Sequence, residues 1–329
     1  MAEQGRVSVD LRALRREWAD LQGDGRPMRE AAFGERVRAL DFLSFARDLS
    51  AVHPRDRELG ILAQEAAQLE QRLIAVHERF LSGIRASIRS GECRGARLRD
   101  ELDRYTAYRP GEPQEHVGYD DLDALVSGLF WPGPLPIPSR DLEPGMVPYE
   151  ATPARLVLEL VDRLSLAPDD VFYDLGAGLG HVALLVHLLG GVRAVGIEIE
   201  PTFCEVARRT TQDLGVRDVR FVATDARQAD YSIGTVFYLF TPFTGRILED
   251  VLERLREQGQ QRTLTLCTYG SCTQRMAAQP WLRRVSGDAR SLFSLVVWES
   301  GSEGYGGHCR WIVSFRVIHP AVVPGRFQE

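Results

Sequence analysis

Three glycines at alternate positions, Gly176, Gly178 and Gly180, follow the acid Asp174 at the end of the apolar run Val171–Leu175. A second apolar run, Val195-Gly-Ile-Glu198, also ends in an acid. Residue types in this order suit nucleoside binding. A tight glycine turn lets a ligand approach the backbone, a helix leaves the turn, and a carboxylate at the tip of the next strand takes the two ribose hydroxyls. Glu200 competes with Glu198, because alternation along a strand puts both on the same face.

The spacing says which nucleoside. A dinucleotide fingerprint reads Gly-x-Gly-x-x-Gly/Ala, and counted from Gly176 its last position falls on His181, which breaks the pattern. A pyrophosphate also needs the positive end of a helix without an acid beside it. Asp174 repels phosphate and suits a cationic or zwitterionic ligand. S-adenosylmethionine (SAM) carries a sulfonium, an α-amino group and a ribose, and no phosphate. A nicotinamide-dependent oxidoreductase is disfavoured on the same grounds.

These residues resemble a known family. Asp174-Leu-Gly-Ala-Gly-Leu-Gly180 is similar to the first motif of class I SAM-dependent methyltransferases, Val195-Gly-Ile-Glu198 to their second-strand motif, and Thr224-Asp-Ala226 to the third-strand motif. The resemblance covers about residues 150–320. It implies that Gly176, Gly178 and Gly180 let the backbone approach the methionyl part and ribose, and that Glu198 takes the ribose hydroxyls. Asp225 would accept from the adenine amino group, with Ala226 lending its N–H. Asp174 would orient the turn, or the amino group through water. The plainer reading of Asp225 is a cap on the following turn. Pro148-Tyr-Glu-Ala-Thr-Pro-Ala154 before the first helix further resembles non-SET protein-lysine methyltransferases of the silencing-disruptor type. That likeness implies lid contacts from Tyr149, Glu150 and Thr152, and an acceptor channel lined by Phe240, Thr241 and Phe243. Asn is common at the fourth strand of the histone enzymes, where this chain has Leu239-Phe240-Thr241.

Acceptor chemistry belongs at the end of that fourth strand, Phe237-Tyr-Leu-Phe-Thr-Pro-Phe243. Methyl transfer is an in-line displacement that positioning alone promotes strongly, and it needs a base only when the nucleophile arrives protonated. Amine methylases of bases and amides carry Asn/Asp-Pro-Pro-Tyr/Phe there, which Thr241-Pro-Phe243 half matches. The candidates for a catalytic role are Thr241, Tyr149 and His181. A packing or capping histidine is the plain reading of His181. Tyr269, Cys272 and His308 follow later strands and lie within reach of the mouth, each with a structural alternative. No metal site is evident, neither a Cys/His zinc constellation nor a paired-carboxylate metal site.

The elements that must hold these residues follow from periodicity. From Pro153 onward strands and helices alternate, which means a mostly parallel sheet with helices on both faces. The expected strands are Val171–Leu175, Ala194–Ile199, Val219–Val222, Thr235–Phe240 and Thr263–Cys267. Two final β-rich runs, Ser291–Trp298 and Arg310–Ile318, flank the glycine-rich Gly301–Gly307 and predict an antiparallel edge. The fold class is therefore α/β, mostly parallel with an antiparallel edge strand, behind an all-α N-terminal domain, and the resemblance implies that the sheet is the Rossmann-like one of class I methyltransferases. Residues 1–130 read as helical, with one proline-free helix from Glu58 to Ile88. Residues 131–152 are too rich in proline for helix interior or central strand and form a linker or lid. The SAM-binding domain is 153–329.

All 40 basic residues are arginine, a coding bias expected of a GC-rich bacterial genome, which leaves no P-loop lysine and no lysine Schiff base. The net charge of −6 gives no general pull toward nucleic acid. No apolar run approaches the ~20 residues that span a bilayer, and the N-terminus has no signal-like apolar stretch. Five cysteines without Cys-x-x-Cys spacing read as reduced thiols in a cytoplasmic protein. The expected function is methyl transfer from SAM to an N or O nucleophile on a protein side chain such as lysine or on a small molecule. The helical half would enclose the acceptor or form a homodimer. The alternative is a non-catalytic SAM-binding scaffold whose helical half is the interaction surface.

Overall fold

The computed structural model describes residues 11–110, 118–131 and 133–301. The expected strand Arg310–Ile318, the glycine-rich segment beyond Gly301, His308 and Cys309 lie outside the described residues. The chain divides into two units, Met1–Ala86 and Ser87–Glu329.

In the first unit, α1 (Leu11–Gly23), α2 (Phe33–Val52) and α3 (Arg57–Ser90) share a core that includes Leu14, Trp18, Leu43, Ala46, Leu62 and Leu73. The proline-free stretch is one helix of 34 residues, and the division at Ala86 falls inside it. Arg36 of α2 is wholly buried and donates to the carbonyls of Pro27 and Arg29 at 3.3 and 2.8 Å.

The second unit is built on a seven-stranded sheet in the order β3-β2-β1-β4-β5-β7-β6. Its strands are β1 (Val171–Leu175), β2 (Arg193–Glu198), β3 (Val219–Ala223), β4 (Val236–Phe240), β5 (Thr265–Tyr269), β6 (Leu282–Ser286) and β7 (Val296–Ser300). β1 to β5 are parallel; β7 runs antiparallel to both β5 and β6. All five residues of β1 are buried, as a strand covered on both faces requires. Helices α6 (Ala154–Arg163), α7 (His181–Gly190), α8 (Pro201–Asp213) and α9 (Gly245–Gly259) supply the cover. In α9, Ile247, Leu248, Val251, Leu252 and Leu255 form the buried stripe of an amphipathic helix. Two shorter helices, α4 (Ala96–Leu102) and α5 (Asp121–Phe130), pack on α7, and α5 also packs on α6.

The edge differs from expectation in two respects, the first being that β7 is Val296–Ser300 in place of the expected Ser291–Trp298. The antiparallel partner of β7 is the earlier segment Leu282–Ser286, which sequence reading passed over. Leu282-Arg-Arg-Val-Ser286 has no apolar alternation, and an outer strand needs none, because one of its sides meets solvent. β5 also begins two residues later than expected, which puts Tyr269 at its carboxyl end. The strand order reverses between β1 and β4, and ligands of open α/β sheets sit at such a switch point.

Candidate functional site

The glycine turn after β1 is shaped by steric necessity. Gly176, Gly178 and Gly180 all have positive φ, at 83°, 52° and 82°. A Cβ on Gly176 would overlap Pro242, on Gly178 the ring of Tyr149, and on Gly180 the ring of Phe221. The turn is thus packed between the loop after β4, the segment before α6 and β3, and no side chain fits at these places.

Carboxylates gather around it. Asp174 on β1 is 3% exposed. It accepts from the Ala183 N–H in the first turn of α7, while its Oδ2 has no hydrogen-bond partner among the described residues. Burial, with the neighbouring Glu198 charge, pushes its pKa up to about 7. Glu198 at the end of β2 accepts from the N–H of Gly178 at 2.8 Å and of Glu200 at 2.9 Å. Burial raises its pKa, and these amides work against the rise.

Glu200 has a different job. It caps α8, accepting from the Thr202 N–H at 3.0 Å, and it also takes the Ser139 N–H and Oγ at 3.0 and 2.7 Å. Burial opposes its charge, yet these donors hold its pKa at about 2. Both oxygens of Glu200 are therefore committed to holding the proline-rich segment.

That segment is a strap across the carboxyl ends of the parallel strands. Ser139 joins it to the end of β2. Glu143 joins it to Arg227, just after β3, at 2.9 Å. The Val147 N–H donates to Pro242 O at 3.1 Å and the Thr244 N–H to Gly145 O at 2.7 Å, beyond β4. Met146 and Phe243 form an isolated antiparallel bridge. At its far end, Ala151 O accepts from the Tyr119 hydroxyl at 2.8 Å, and the Ala154 N–H donates to Asp123 at 2.7 Å. Asp123 also closes the capping box of α5 with Asp120, so the start of one helix fixes the start of another.

Under the strap lies a cavity of about 950 Å³. Of the residues singled out in the sequence, Tyr149, Glu150, Thr152, Asp174, Gly176, His181, Glu198, Glu200, Asp225, Ala226, Phe240, Thr241, Phe243 and Tyr269 line it. Gly178 and Gly180 stand behind its wall, and Cys272 does not line it. Tyr119, Arg140, Leu292 and Phe293 line it as well and were not found from the sequence. They come from the approach to α5, the strap and the β6–β7 loop, where neither periodicity nor motif marks a residue. The signal available for the strap was Glu200, an acid at a helix N-cap followed by Pro201.

Three candidates for catalysis are distinguishable by environment. The Thr241 hydroxyl donates to Tyr269 O at 3.1 Å and accepts from the Cys272 N–H at 3.3 Å. Its φ of 41° is unusual for a β-branched residue, and it sets Pro242 against the glycine turn. Burial pushes the Tyr149 hydroxyl well above the ordinary range, and its ring lies 5.3 Å from that of Phe203. His181, the first residue of α7, has an Nε2 with no partner among the described residues, and burial lowers its pKa to about 4. It is a neutral imidazole packed 5.7 Å from the Phe130 ring.

Asp225 makes an ion pair with Arg227: Oδ1 accepts from the Arg227 N–H at 2.7 Å and Oδ2 from Nη2 at 2.6 Å. The guanidinium holds its pKa below the usual carboxylate range. The turn-capping reading and a face toward the cavity are both present in the one side chain.

Among the described residues no helix is long and apolar enough to cross a membrane, and no group of three or more His, Cys, Asp or Glu side chains is placed to hold a metal ion.

Residues 147–231 match the family model described as "Histone methylation protein DOT1". No curated protein matches the chain. Among solved structures it is similar to an RNA methyltransferase from Salinibacter ruber held with S-adenosyl-L-homocysteine, at 27% identity over 48% of this chain and 98% of that one, with a TM-score of 0.38. It is also similar to a precorrin-6y C5,15-methyltransferase from Geobacter metallireducens (16%, 48% and 93%, TM-score 0.35). A third likeness is to geranyl diphosphate C-methyltransferase from Streptomyces coelicolor (15%, 45% and 76%, TM-score 0.35). With TM-scores under 0.5, none of the three bears on the acceptor or on any residue's role. The family match lies across the strap's end, the glycine turn and the first three strands of the sheet. With the motifs there, it supports a SAM-dependent methyltransferase, with the acceptor unspecified.

Proposed function

We propose that the acceptor is an amine on a protein side chain, lysine being the type that fits, and that SAM lies under the strap. The observation that carries this is a cavity lined by aromatic side chains with an exposed rim. Phe240, Tyr269, Phe293 and Tyr119 line it with Glu150, and Tyr119, Glu150 and Phe293 are exposed. A lysine lays an aliphatic stem along apolar surface, and a carboxylate at the rim attracts its ammonium before it enters. An exposed rim admits a protein tail. The family match to a histone methylation protein points the same way.

The pocket fits the donor. Asp174 Oδ2 is a buried acceptor without a donor among the described residues, suited to the α-amino group directly or through water. Glu198, fixed by two backbone amides, keeps lone pairs for ribose hydroxyls. Gly176 keeps the wall free of a side chain, Gly178 and Gly180 let the turn pack behind it, Asp225 and Ala226 face adenine, and Tyr149 and Thr152 close from above. SAM supplies a sulfonium-borne methyl that an in-line nucleophile displaces.

The chain's own contribution is positioning. Thr241, with its hydroxyl bonded on both sides, shapes the channel. Tyr149 stays protonated. His181 is too weak a base at a pKa of about 4 to strip an ammonium. The amine therefore loses its proton to water as it leaves solvent, which burial favours. A cytoplasmic site of action and a bacterial source belong to the same proposal, supported by free thiols at Cys93, Cys204, Cys267 and Cys272 and by the arginine-only basic complement. So does a homodimer through the helical half, for which solution scattering would read twice 36.9 kDa.

The test is incubation with methyl-labelled SAM and a lysate of the source organism, followed by fractionation and acid hydrolysis. The chain contains no lysine, so methyl-lysine cannot arise from self-methylation. Label recovered as methyl-lysine supports the proposal. Label confined to small molecules overturns it, and SAM binding without any transfer would favour the scaffold.

A further inference from the structure

Arg227 stands two residues after Asp225 and belongs to none of the motifs. Its guanidinium binds Asp225 through Nε, at 3.0 Å to each oxygen, and through Nη2 at 2.6 Å to Oδ2. Its own N–H adds a bond of 2.7 Å to Oδ1. The same Nη2 reaches Glu143 on the strap at 2.9 Å. We propose that Arg227 is a positioning residue for the cofactor's adenine, locking Asp225 as a pure hydrogen-bond acceptor and tying the strap to it. The proposal rests on the reading that Asp225 faces the adenine amino group.

A carboxylate offers about four lone-pair directions over its two oxygens. Three donors of Arg227, its N–H, Nε and Nη2, share these four directions, with Nε divided between the two oxygens, which leaves one for a ligand in a side chain that lines the cavity. An arginine beside it keeps its charge at any working pH, so Asp225 stays ionised and cannot become a donor. A 6-amino purine then finds an acceptor. A 6-oxo purine brings its oxygen against another acceptor, and the site rejects it.

The plain alternative is a surface ion pair of little consequence. It describes the Glu143 arm, whose side chain is 47% exposed, better than the Asp225 arm, at 14%. The backbone of this turn has its own support: Arg254 donates to Arg227 O at 2.8 Å and to Ala229 O at 2.5 Å. Removal of the Arg227 side chain therefore leaves the turn held, and its effect reports on Asp225 and the strap.

The test titrates S-adenosyl-L-homocysteine and its inosine counterpart into the whole chain by calorimetry, for the wild type, Arg227→Met, Arg227→Lys and Glu143→Gln. The wild type is expected to prefer the adenosine form. Arg227→Met should lose about tenfold in affinity for it, the scale of one charge-assisted hydrogen bond, and most of the preference. Glu143→Gln should keep the preference while amides of residues 139–147 exchange faster. A folded Arg227→Met that keeps affinity within about twofold, together with the preference, overturns the proposal. If Arg227→Met does not fold, unchanged preference in Arg227→Lys with unchanged exchange in Glu143→Gln overturns it equally. A wild type that binds neither compound overturns the methyl-donor reading itself, which separates the two failures.

Discussion

At Asp174, a single atom states what the site lacks. Its Oδ2 is buried with no donor among the described residues, and its pKa rises from 3.8 to about 7. The sign of the consequence follows from linkage. An acid whose folded pKa lies above its unfolded value binds more protons when folded, so its contribution to stability falls as pH rises from about 4 to about 7. A cationic group beside Asp174 favours the ionised form. Binding below pH 7 must then release a proton, and affinity for S-adenosyl-L-homocysteine should rise between pH 5.5 and 7.5, by at most about tenfold per unit. Calorimetry in buffers of different ionisation heat measures the proton count. Asp174→Asn should abolish that pH dependence, and a flat wild-type profile would refute the assignment. At Thr241 the expectation is structural. Thr241→Ala should cost about 1–2 kcal/mol by denaturant titration, from two lost hydrogen bonds, with little change in cofactor affinity. A loss of affinity with stability unchanged would instead put the hydroxyl against the cofactor.

The glycine turn and the strap act as one element. A side chain at Gly178 must displace Tyr149, because the two occupy the same space. Gly178→Ala should therefore loosen the strap, making residues 139–152 more sensitive to limited proteolysis, and weaken cofactor binding by at least about tenfold through strain at positive φ and the lost lid contact. Unchanged strap protection would contradict this coupling. The turn was legible in the sequence because its chemistry is local: Asp174, three glycines and Glu198 fall within a single β-α-β unit. The strap was legible only as a proline-rich segment. Its clasps pair residues far apart in sequence, Ser139 with Glu200 and Glu143 with Arg227, and no spacing rule announces such contacts. Strand β6 escaped for another reason, since an edge strand with Arg283 and Arg284 at its centre carries no alternation to read. Tyr119, Leu292 and Phe293 reach the cavity from loops, where side-chain direction is decided by tertiary packing.

For the molecule as a whole, the sheet order, the family match over residues 147–231 and the cavity under the strap support the methyl-donor site proposed in the unit Ser87–Glu329. The fold class was readable because alternating strands and helices leave few topologies open. The acceptor was not readable, because the channel proposed for it draws on strand ends, the strap and a hairpin loop rather than on one motif. The exposed rim predicts that a protein tail outcompetes a free amine. A lysine-containing peptide should therefore be methylated with a lower KM than free lysine, and the reverse order would favour a small-molecule enzyme. The most direct test of the central claim is calorimetric titration of S-adenosyl-L-homocysteine into the full chain. The account predicts saturable binding at one site per chain, with proton release below pH 7 that disappears in Asp174→Asn. Absence of binding to the folded chain, or binding indifferent to Asp174, Glu198 and Asp225 substitutions, would contradict it.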